Sequence, residues 1–553
     1  MCSISGGIQI QRDKQGSEEL KCVVERMNAS LRHRGPDDQG VISHEIEDSN
    51  INLCLGNTRL SIIDTTSAGH QPMHDPETGN WVTYNGETYN FRQLRKEIGD
   101  EFGPWRSHSD TEVVLKAYQK WGIDAFVRLR GMFAVAIWDS RKRQLILARD
   151  SFGIKPLYCY FPEDNVSLTA IGSAQELQSS FVLFASEVRA LLASGRVPRT
   201  LSSRAVASFL EYGSVQAPLT MIEHVWSVMP GTCVIISESK AGRLKVAVKD
   251  FRSGALESRK SKPASRSEAK IEVRRLLEDS VRNHLISDVP LGVFLSGGMD
   301  SSALVALVSQ VADERPRTFS IVFDEDSFNE AHYSQTIARR FNTDHHEVKL
   351  TEQRLLNMLP DALRALDQPS MDGVNTFVVS GAVKDAGVTV ALSGLGGDEL
   401  FGGYPSFRRA VRLGSANRVA MSALRSLAHA SRVLGKGSTQ RDKLQQLALH
   451  NDPHSVYRIS RQLFSPGSVE ELSHQSFSTN GHPSDHPGTD IVNTISRLEL
   501  DGYMANTLLR DTDAMSMAHS LEVRVPLIDN EVAGYVLSLP GDWKFGPSLQ
   551  NVS

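Results

Sequence analysis

The chain has 553 residues, too many for one hydrophobic core, and the length suggests about two to four domains. Its 40 % apolar and 23 % charged composition is that of a soluble globular protein, and a net charge of -5 over this length makes no case for nucleic acid or membrane as a partner. The five cysteines (2, 22, 54, 159 and 233) are odd in number and scattered, which argues against a disulfide framework or a zinc site; with no secretory leader and no run of roughly 18 apolar residues, a cytoplasmic protein is expected.

In chain order, WVTY (81–84) reads as a strand running into Asn85-Gly86, a strong turn signal because both residues tolerate positive φ. DTEVVLKAYQKW (110–121) has helical spacing, with Asp110 as cap or first-turn acid. MFAVAIW (132–138) and QLILAR (144–149), separated by DSRKR, predict a hairpin. The polar, Ser-rich stretch 163–180 predicts a surface insertion, and 252–268, rich in Ser and basic residues, predicts the linker between domains. After it the pattern changes to strand–helix alternation. Residues 289–295 are an apolar run followed by SGGMDSS and the helical ALVALVSQVA; RTFSIVF, helical YSQTIARRF, HHEVKL and VTVALSG follow. This order predicts a doubly wound parallel sheet with ligands at the carboxyl ends of its strands. Residues 405–500 read as helical or irregular, polar over 474–489, and no internal repeat is present.

Cys2 follows the initiator Met, and its small side chain permits Met removal, leaving a cysteine with a free α-amine. That amine titrates near pKa 7.7–8.0, so it can act as base for its own thiol, and a thiolate attacks a carboxamide carbon. Such chemistry needs an oxyanion hole and groups that hold a zwitterionic amino acid. Asn85 and Gly86 are candidates for the first, Arg59 for an α-carboxylate, and Glu87 and Asp110 for an α-ammonium. Taken singly, each has a plainer reading: an incidental cysteine, a turn, a surface salt bridge, a helix cap.

SGGMDSS (296–302) opens a helix after a strand, a turn in which backbone N–H groups approach an anion. It lacks the ending of a Walker loop, and SGG alone reads more readily as a flexible Gly/Ser turn. Asp300 within it makes sense if Mg²⁺ bridges it to phosphates. SGLGGDELFGGY (393–404) offers Asp398 as a second metal ligand. His345-His346 reads as an exposed loop-to-strand pair rather than a metal site.

MCSI, RHRGPDDQG (32–40), RLSIID (59–64), NGETYN (85–90), SDTE (109–112), LRGMFAVAIWD (129–139), RDSFGIKPLY (149–158) and FASE (184–187) occur in this order and resemble the class II glutamine amidotransferase domain of asparagine synthetases. SGGMDSS, TFSIVF (318–323), FNE (328–330), DHHEV (344–348), SGLGGDELFGGY and SMAHSLEVRVPLID (516–529) resemble the same family's C-terminal domain. The resemblance implies an α/β protein: an N-terminal Ntn-hydrolase α/β/β/α sandwich (2–213), a connecting segment and linker (214–268), and a doubly wound ATP-pyrophosphatase domain (269–553), short at its C-terminus. It implies catalysis by Cys2 through a glutamyl thioester, an oxyanion hole at Asn85 and Gly86, and glutamine binding by Arg59, Leu60, Ser61, Ile62, Ile63, Asn85, Gly86, Glu87 and Asp110. Leu295, Ile321, Ser393 and Gly394 would line the ATP site, Ser296, Gly297, Gly298, Ser301 and Ser302 would hold pyrophosphate, and Asp300 and Asp398 would hold Mg²⁺. The implied partners are glutamine, ATP and aspartate, with no nucleic acid and no membrane; oligomeric state stays open, a homodimer among the options.

Two departures from the family stand out. Leu395 occupies a position that is acidic in asparagine-forming members, and Gln368 stands where many relatives have Glu; both remove charge near the expected acceptor site. The chain also ends at KFGPSLQNVS, where the family continues into a basic segment. The expectations that follow are an amidotransferase for another carboxylate, or a working glutaminase on an impaired ligase or regulatory scaffold. β-Lactam-forming relatives fit less well, because they generally lack the nucleophilic cysteine.

Overall fold

A computed structural model describes residues 2–10, 14–46, 50–163, 166–257, 263–323, 331–414, 439–450, 452–473 and 490–545. FNE and the tail 546–553 lie outside these residues, as do all of 474–489 and the middle of the expected linker.

Among the described residues the first half is built on thirteen strands: β1 (Ser3–Ile10), β2 (Asp38–Glu45), β3 (Ile51–Arg59), β4 (Met73–Asp75), β5 (Asn80–Thr88), β6 (Gly131–Asp139), β7 (Gln144–Arg149), β8 (Tyr158–Tyr160), β9 (Ala174–Glu176), β10 (Phe181–Ala185), β11 (Val225–Ser227), β12 (Thr232–Glu238) and β13 (Leu244–Asp250). They form two sheets, β11-β8-β10-β1-β3-β2 and β4-β5-β6-β7-β12-β13-β9, with antiparallel pairing throughout. The sheets pack face to face through Ile4, Ile8, Leu53 and Leu55 on one side and Ala134, Ala136, Trp138, Leu145 and Leu147 on the other. Strand β6 shows why MFAVAIW is continuously apolar. Ala134, Ala136 and Trp138 face the partner sheet, while Phe133, Val135 and Ile137 face the outer helices, so both sides are buried. Helix Lys14–Ser30 covers the first sheet, and helices Phe91–Ile98 and Asp110–Trp121 cover the second. This is the α/β/β/α sandwich the resemblance implied.

The 131–149 hairpin forms as its sequence reads, β6 against β7. Asn85-Gly86 is not a turn. Both residues lie inside β5, opposite Ala134 and Phe133, because pairing with a long apolar neighbour outweighs a local turn preference. The polar stretch expected as a surface insertion supplies edge strand β9 and buries Val166, Leu168 and Leu177. The segment expected to connect the domains supplies β11, β12 and β13, so sheet pairing in the N-terminal unit continues to Asp250. Within the expected linker, Arg252–Ala255 is a helical turn, and a longer helix begins at Arg266, capped by Ser265.

The C-terminal sheet contains β14 (Leu291–Phe294), β15 (Arg317–Phe323), β16 (Asp344–Leu350), β17 (Val390–Leu392) and β18 (Glu522–Arg524), in the order β16-β15-β14-β17-β18 and all parallel. Successive strands are added on one side of β14 and then on the other. The switch point therefore lies between β14 and β17, where the loops after both strands emerge side by side. His345 and His346 both lie within β16 rather than on a loop.

The two halves share one apolar core, in which Phe126, Phe133 and Phe251 join Leu500, Met504 and Val532. Charge is buried along the same seam. Arg34, fully buried, donates 2.8 Å to Glu187 and 2.7 Å to Asp513, and Lys155 reaches Asp513 at 3.4 Å. Removing one member of such a cluster leaves its partners charged and dry. Arg34→Met is expected to cost about 3–5 kcal/mol, read as a lowered urea midpoint; an unchanged midpoint would mean the cluster does not hold the halves together.

Candidate active sites

Cys2 enters β1, which runs antiparallel to β3 with Ser3 opposite Thr58. Its thiol is buried and lies 4.0 Å from the carbonyl of Leu60, to which it donates. Burial raises the thiol pKa, while the terminal ammonium and Arg59 pull it down. Cys54, Cys159 and Cys233 are buried in the cores and Cys22 is exposed; all five are free thiols. Cys2 alone combines burial with a cation and an amino terminus.

Asn85 is fully buried, yet among the described residues neither its Nδ2 nor its Oδ1 has a hydrogen-bond partner. Leaving an amide in that condition costs a few kcal/mol, which a ligand would recover (about 1–3 kcal/mol per group). Gly86 is oriented by strand pairing. Phe133, opposite it, exchanges both backbone groups with Asp150 on the far side, so the Gly86 amide points away from β6 toward the open edge of β5. On that edge Tyr84 N–H is taken by Gln71 and Thr88 N–H by Asp110, with the Gly86 N–H directed between them. A Cβ on residue 86 would run into the Met132 carbonyl, which explains glycine there.

Three acids and two arginines complete this pocket. Arg59 is buried and donates to the carbonyls of Ile63, Asp64 and Thr66, so it shapes the 59–66 loop. Ser61 N–H is held by Asp37, and Asp288 from the C-terminal half both donates to Ile62 O and accepts from Asp64 N–H. Glu87 is pushed well up by burial and by neighbouring Glu522, against the pull of Arg524 3.5 Å away. Arg524 is itself fully buried; it pairs with Glu522 at 2.6 Å and donates to His284 O and Ile286 O. Asp110 is a first-turn acid as expected, but Ser109 is the helix cap.

At the other site, Leu295 is buried and hydrogen-bonds Phe319 O, and Ser320 caps its carbonyl. Ser296 Oγ lies 3.0 Å from Ser301 Oγ and accepts from Gly298 N–H. Gly297 has φ +80°, the left-handed region, which turns the chain into helix Met299–Val311; Ser302 N–H closes the first turn on Gly298 O. The loop after β17 lies against this turn. A Cβ on Gly394 would come within 2.9 Å of Ser301 N, and one on Gly397 would enter the Asp300 carboxylate. Ser393 N–H is held by Arg524 O at 2.8 Å. Asp300 is pushed up to about 6, first by burial and then by the charge of Asp398. Two adjacent carboxylates beside an anion-cradling turn suit a hard cation with oxygen ligands. Ile321 lies on β15, next to β14 and part-buried.

Leu395 packs on the main core as an apolar wall of this loop. Gln368 does not face the site. It is buried at the seam, accepting from Met221 N–H and donating to Asp367 O, so its lack of charge reflects a backbone contact rather than acceptor chemistry. Sequence reasoning missed Lys155, Asp288, Asp513, Glu522 and Arg524. The signal for the last two was LEVRV, charges alternating with apolar residues in a strand that proves buried on both faces.

A glutamine amidotransferase domain model matches residues 1–246 and an asparagine synthase model residues 272–550. The chain is 31 % identical over 544 residues to glutamine-hydrolyzing asparagine synthetase 1 of Bacillus subtilis, covering 95 % of this chain and 79 % of that one. It is 29 % identical over 565 residues to synthetase 3 of the same organism, covering 98 % and 82 %. Amidase chry2 of Gibberella zeae is 28 % identical over 606 residues, covering 98 % and 83 %.

Asp110 is pushed up to about 6, mainly by burial, with Glu522 adding to the effect and the Thr88 N–H opposing it. An acid raised in the fold costs stability once ionised, so this cost is absent below about pH 4 and complete above about pH 6. Asp110→Asn can still accept from Thr88. It is expected to gain about 2–3 kcal/mol at pH 8 and nothing at pH 4, in urea unfolding; a loss at pH 8 would mean the charge is needed by the fold.

Proposed function

We infer the activity from one premise: the chain belongs to the glutamine-hydrolysing asparagine synthetase family. On it we propose a cytoplasmic enzyme that moves the amide nitrogen of glutamine to a carboxylate activated by ATP, aspartate being the acceptor, with release of AMP and pyrophosphate. The observation that carries this reading is the unpartnered, buried amide of Asn85 in the Cys2 pocket.

After Met1 is removed, the α-amine of Cys2 takes the thiol proton, and Sγ attacks the carboxamide carbon of glutamine. Asn85 Nδ2 and Gly86 N–H receive the oxyanion. The backbone that carries both is fixed before the reaction by the pairing of β5 with β6, and burial confines the Asn85 side chain, so little reorganisation is needed as charge develops. Glu87 and Asp110 face the α-ammonium of glutamine. Their charge is costly in the empty pocket and is compensated when a cation arrives, so occupancy favours ionisation. The remaining donors of Arg59 serve the α-carboxylate. The tetrahedral adduct collapses, ammonia takes the proton from the amine and leaves, and water hydrolyses the thioester to glutamate.

At the switch point the N–H groups of the 296–302 turn cradle the phosphates, and the acceptor carboxylate attacks the α-phosphorus. Asp300 and Asp398 would hold Mg²⁺, which supplies neutralising charge at the phosphates when bound. Ammonia attacks the acyl carbon of the adenylate, and AMP leaves. The seam between the two sites is buried at Arg524, Glu522 and Asp513, and a route through it would protect a base that water would protonate.

A second reading, amidation of another carboxylic acid, is favoured by Leu395, whose hydrocarbon lies on the loop that also carries Asp398.

Two measurements test the reading. Pyrophosphate release from ATP should depend on aspartate, with asparagine formed from either glutamine or ammonium chloride; release that depends on a different acid would establish the second reading instead. Asn85→Ala should lower the glutaminase kcat by about 100- to 1,000-fold while ammonium-dependent synthesis persists; an undiminished kcat would remove Asn85 from the oxyanion hole.

A further inference from the structure

One cation at the rim of the nucleotide cleft has no role in the chemistry above. Helix Pro453–Arg461 ends on Arg461, whose guanidinium carbon lies 4.5 Å from the ring centre of Tyr404 and 4.0 Å from that of Tyr503. The two rings are 6.2 Å apart and nearly perpendicular, so they wall the guanidinium on two sides. One edge is anchored: Nε and Nη2 donate to Glu499 Oε2 at 3.0 and 2.6 Å. Glu499 is fully buried and also accepts from Ser406. No acceptor for Nη1 is found among the described residues, and the side chain keeps 22 % of its surface exposed.

The walls are tied to both sides of the cleft. Tyr404 follows the turn in which Gly402 and Gly403 N–H close on Asp398 O, and its hydroxyl donates to Glu399. The Tyr503 hydroxyl donates to Asp372, which lies two residues from Ser370, itself bonded to Asp511. Arg461 is thus suspended between the loop that carries Asp398 and the loop that carries Asp372. The nearby cation Arg510 spends its donors on Val215 O, Pro369 O and Asp511.

The surroundings are acidic: Asp300, Asp398, Glu399, Asp372 and Asp511 all lie on these loops or face them. Burial raises Asp398, and Arg461 pulls it back, which places the guanidinium within electrostatic reach of the proposed phosphate side. An amino acid with two carboxylates entering such a cleft needs a fixed cation. A salt bridge made only for stability would need Glu499 alone. Two aromatic walls and a free edge add what a planar fork requires to meet a carboxylate in one orientation.

We propose that Arg461 is the positioning residue for the acceptor, its free Nη1 edge binding the carboxylate of aspartate that is not adenylated. This rests on the proposed adenylation beside Asp398. It assigns to Arg461 the choice of a dicarboxylic amino acid over a monocarboxylic one.

The test compares wild type, Arg461→Lys and Arg461→Gln as full-length chains, with ATP, Mg²⁺, ammonium chloride and aspartate. Pyrophosphate release gives KM for aspartate and for ATP, and calorimetry gives aspartate binding without turnover. Arg461→Gln should raise the aspartate KM roughly 10- to 100-fold, with Arg461→Lys between it and wild type. ATP KM and glutaminase activity should stay within about twofold, since neither site touches this edge. An unchanged aspartate KM, or an ATP KM that rises as much, would overturn the proposal; the second result would place the guanidinium on phosphate. If wild type binds aspartate without releasing pyrophosphate, the proposed reaction fails, and the binding comparison alone supports or overturns Arg461. If wild type neither binds nor uses aspartate, both are overturned.

Discussion

Between the antiparallel sandwich and the parallel sheet lies a cluster of charges with almost no contact with water: Arg34 with Glu187 and Asp513, Lys155 with Asp513, and Arg524 with Glu87 and Glu522. Charges so placed are expensive to desolvate, and the cost is offset only where hydrogen bonding is nearly complete. The cluster therefore works only in one arrangement of the two halves. Glu187 shows how complete the offset can be: burial would raise its carboxyl, yet the His33 hydrogen bond and the charges of His33, Arg34 and Arg189 hold it well below the usual range. Glu87 shows the opposite balance, with burial and Glu522 outweighing Arg524. The strained member of the network is the one that faces the Cys2 pocket.

Strand β18 makes that cluster part of both sites at once. It is three residues long, pairs with β17, and holds Ser393 through the carbonyl of Arg524. Its two charged side chains share one face, where Arg524 meets Glu87, and Val523 packs on the opposite face against Phe319 and Val388. One residue thus contacts the loop of Ser393 through its backbone and the Cys2 pocket through its guanidinium. Asp288 does similar work by fixing the 59–66 loop from the C-terminal side. The Cys2 pocket is not complete as an isolated domain, because Arg524 and Asp288 belong to the other half of the chain.

Legibility in the sequence followed the range of the interactions involved. The 131–149 hairpin, the 110–121 helix and the strand–turn–helix at 291–311 were readable because their patterns are local. Asn85-Gly86 misled because its turn preference is local and the pairing with β6 that overrides it is not. The Ser-rich stretch 163–180 hid an edge strand, since such a strand needs only one apolar face. Gln368 looked like a change in the acceptor site and proved to be a seam contact with Met221, 147 positions away in the chain.

The sequence by itself determined the two-part organisation, the cysteine beside the initiator Met, and the two glycine-rich turns after apolar strands, because each is encoded within a short run of residues. It also placed Cys2, Asn85, Asp300 and Asp398 among the candidates by type and motif. Only the tertiary structure decided which charges meet: that Arg524 answers Glu87, that Arg34 and Lys155 converge on Asp513, and that Tyr404 and Tyr503 enclose Arg461. These contacts join residues separated by 42 to 479 positions, Arg461 with Tyr503 the nearest pair and Arg34 with Asp513 the farthest. Their strength depends on the removal of water, which no local pattern in the chain specifies.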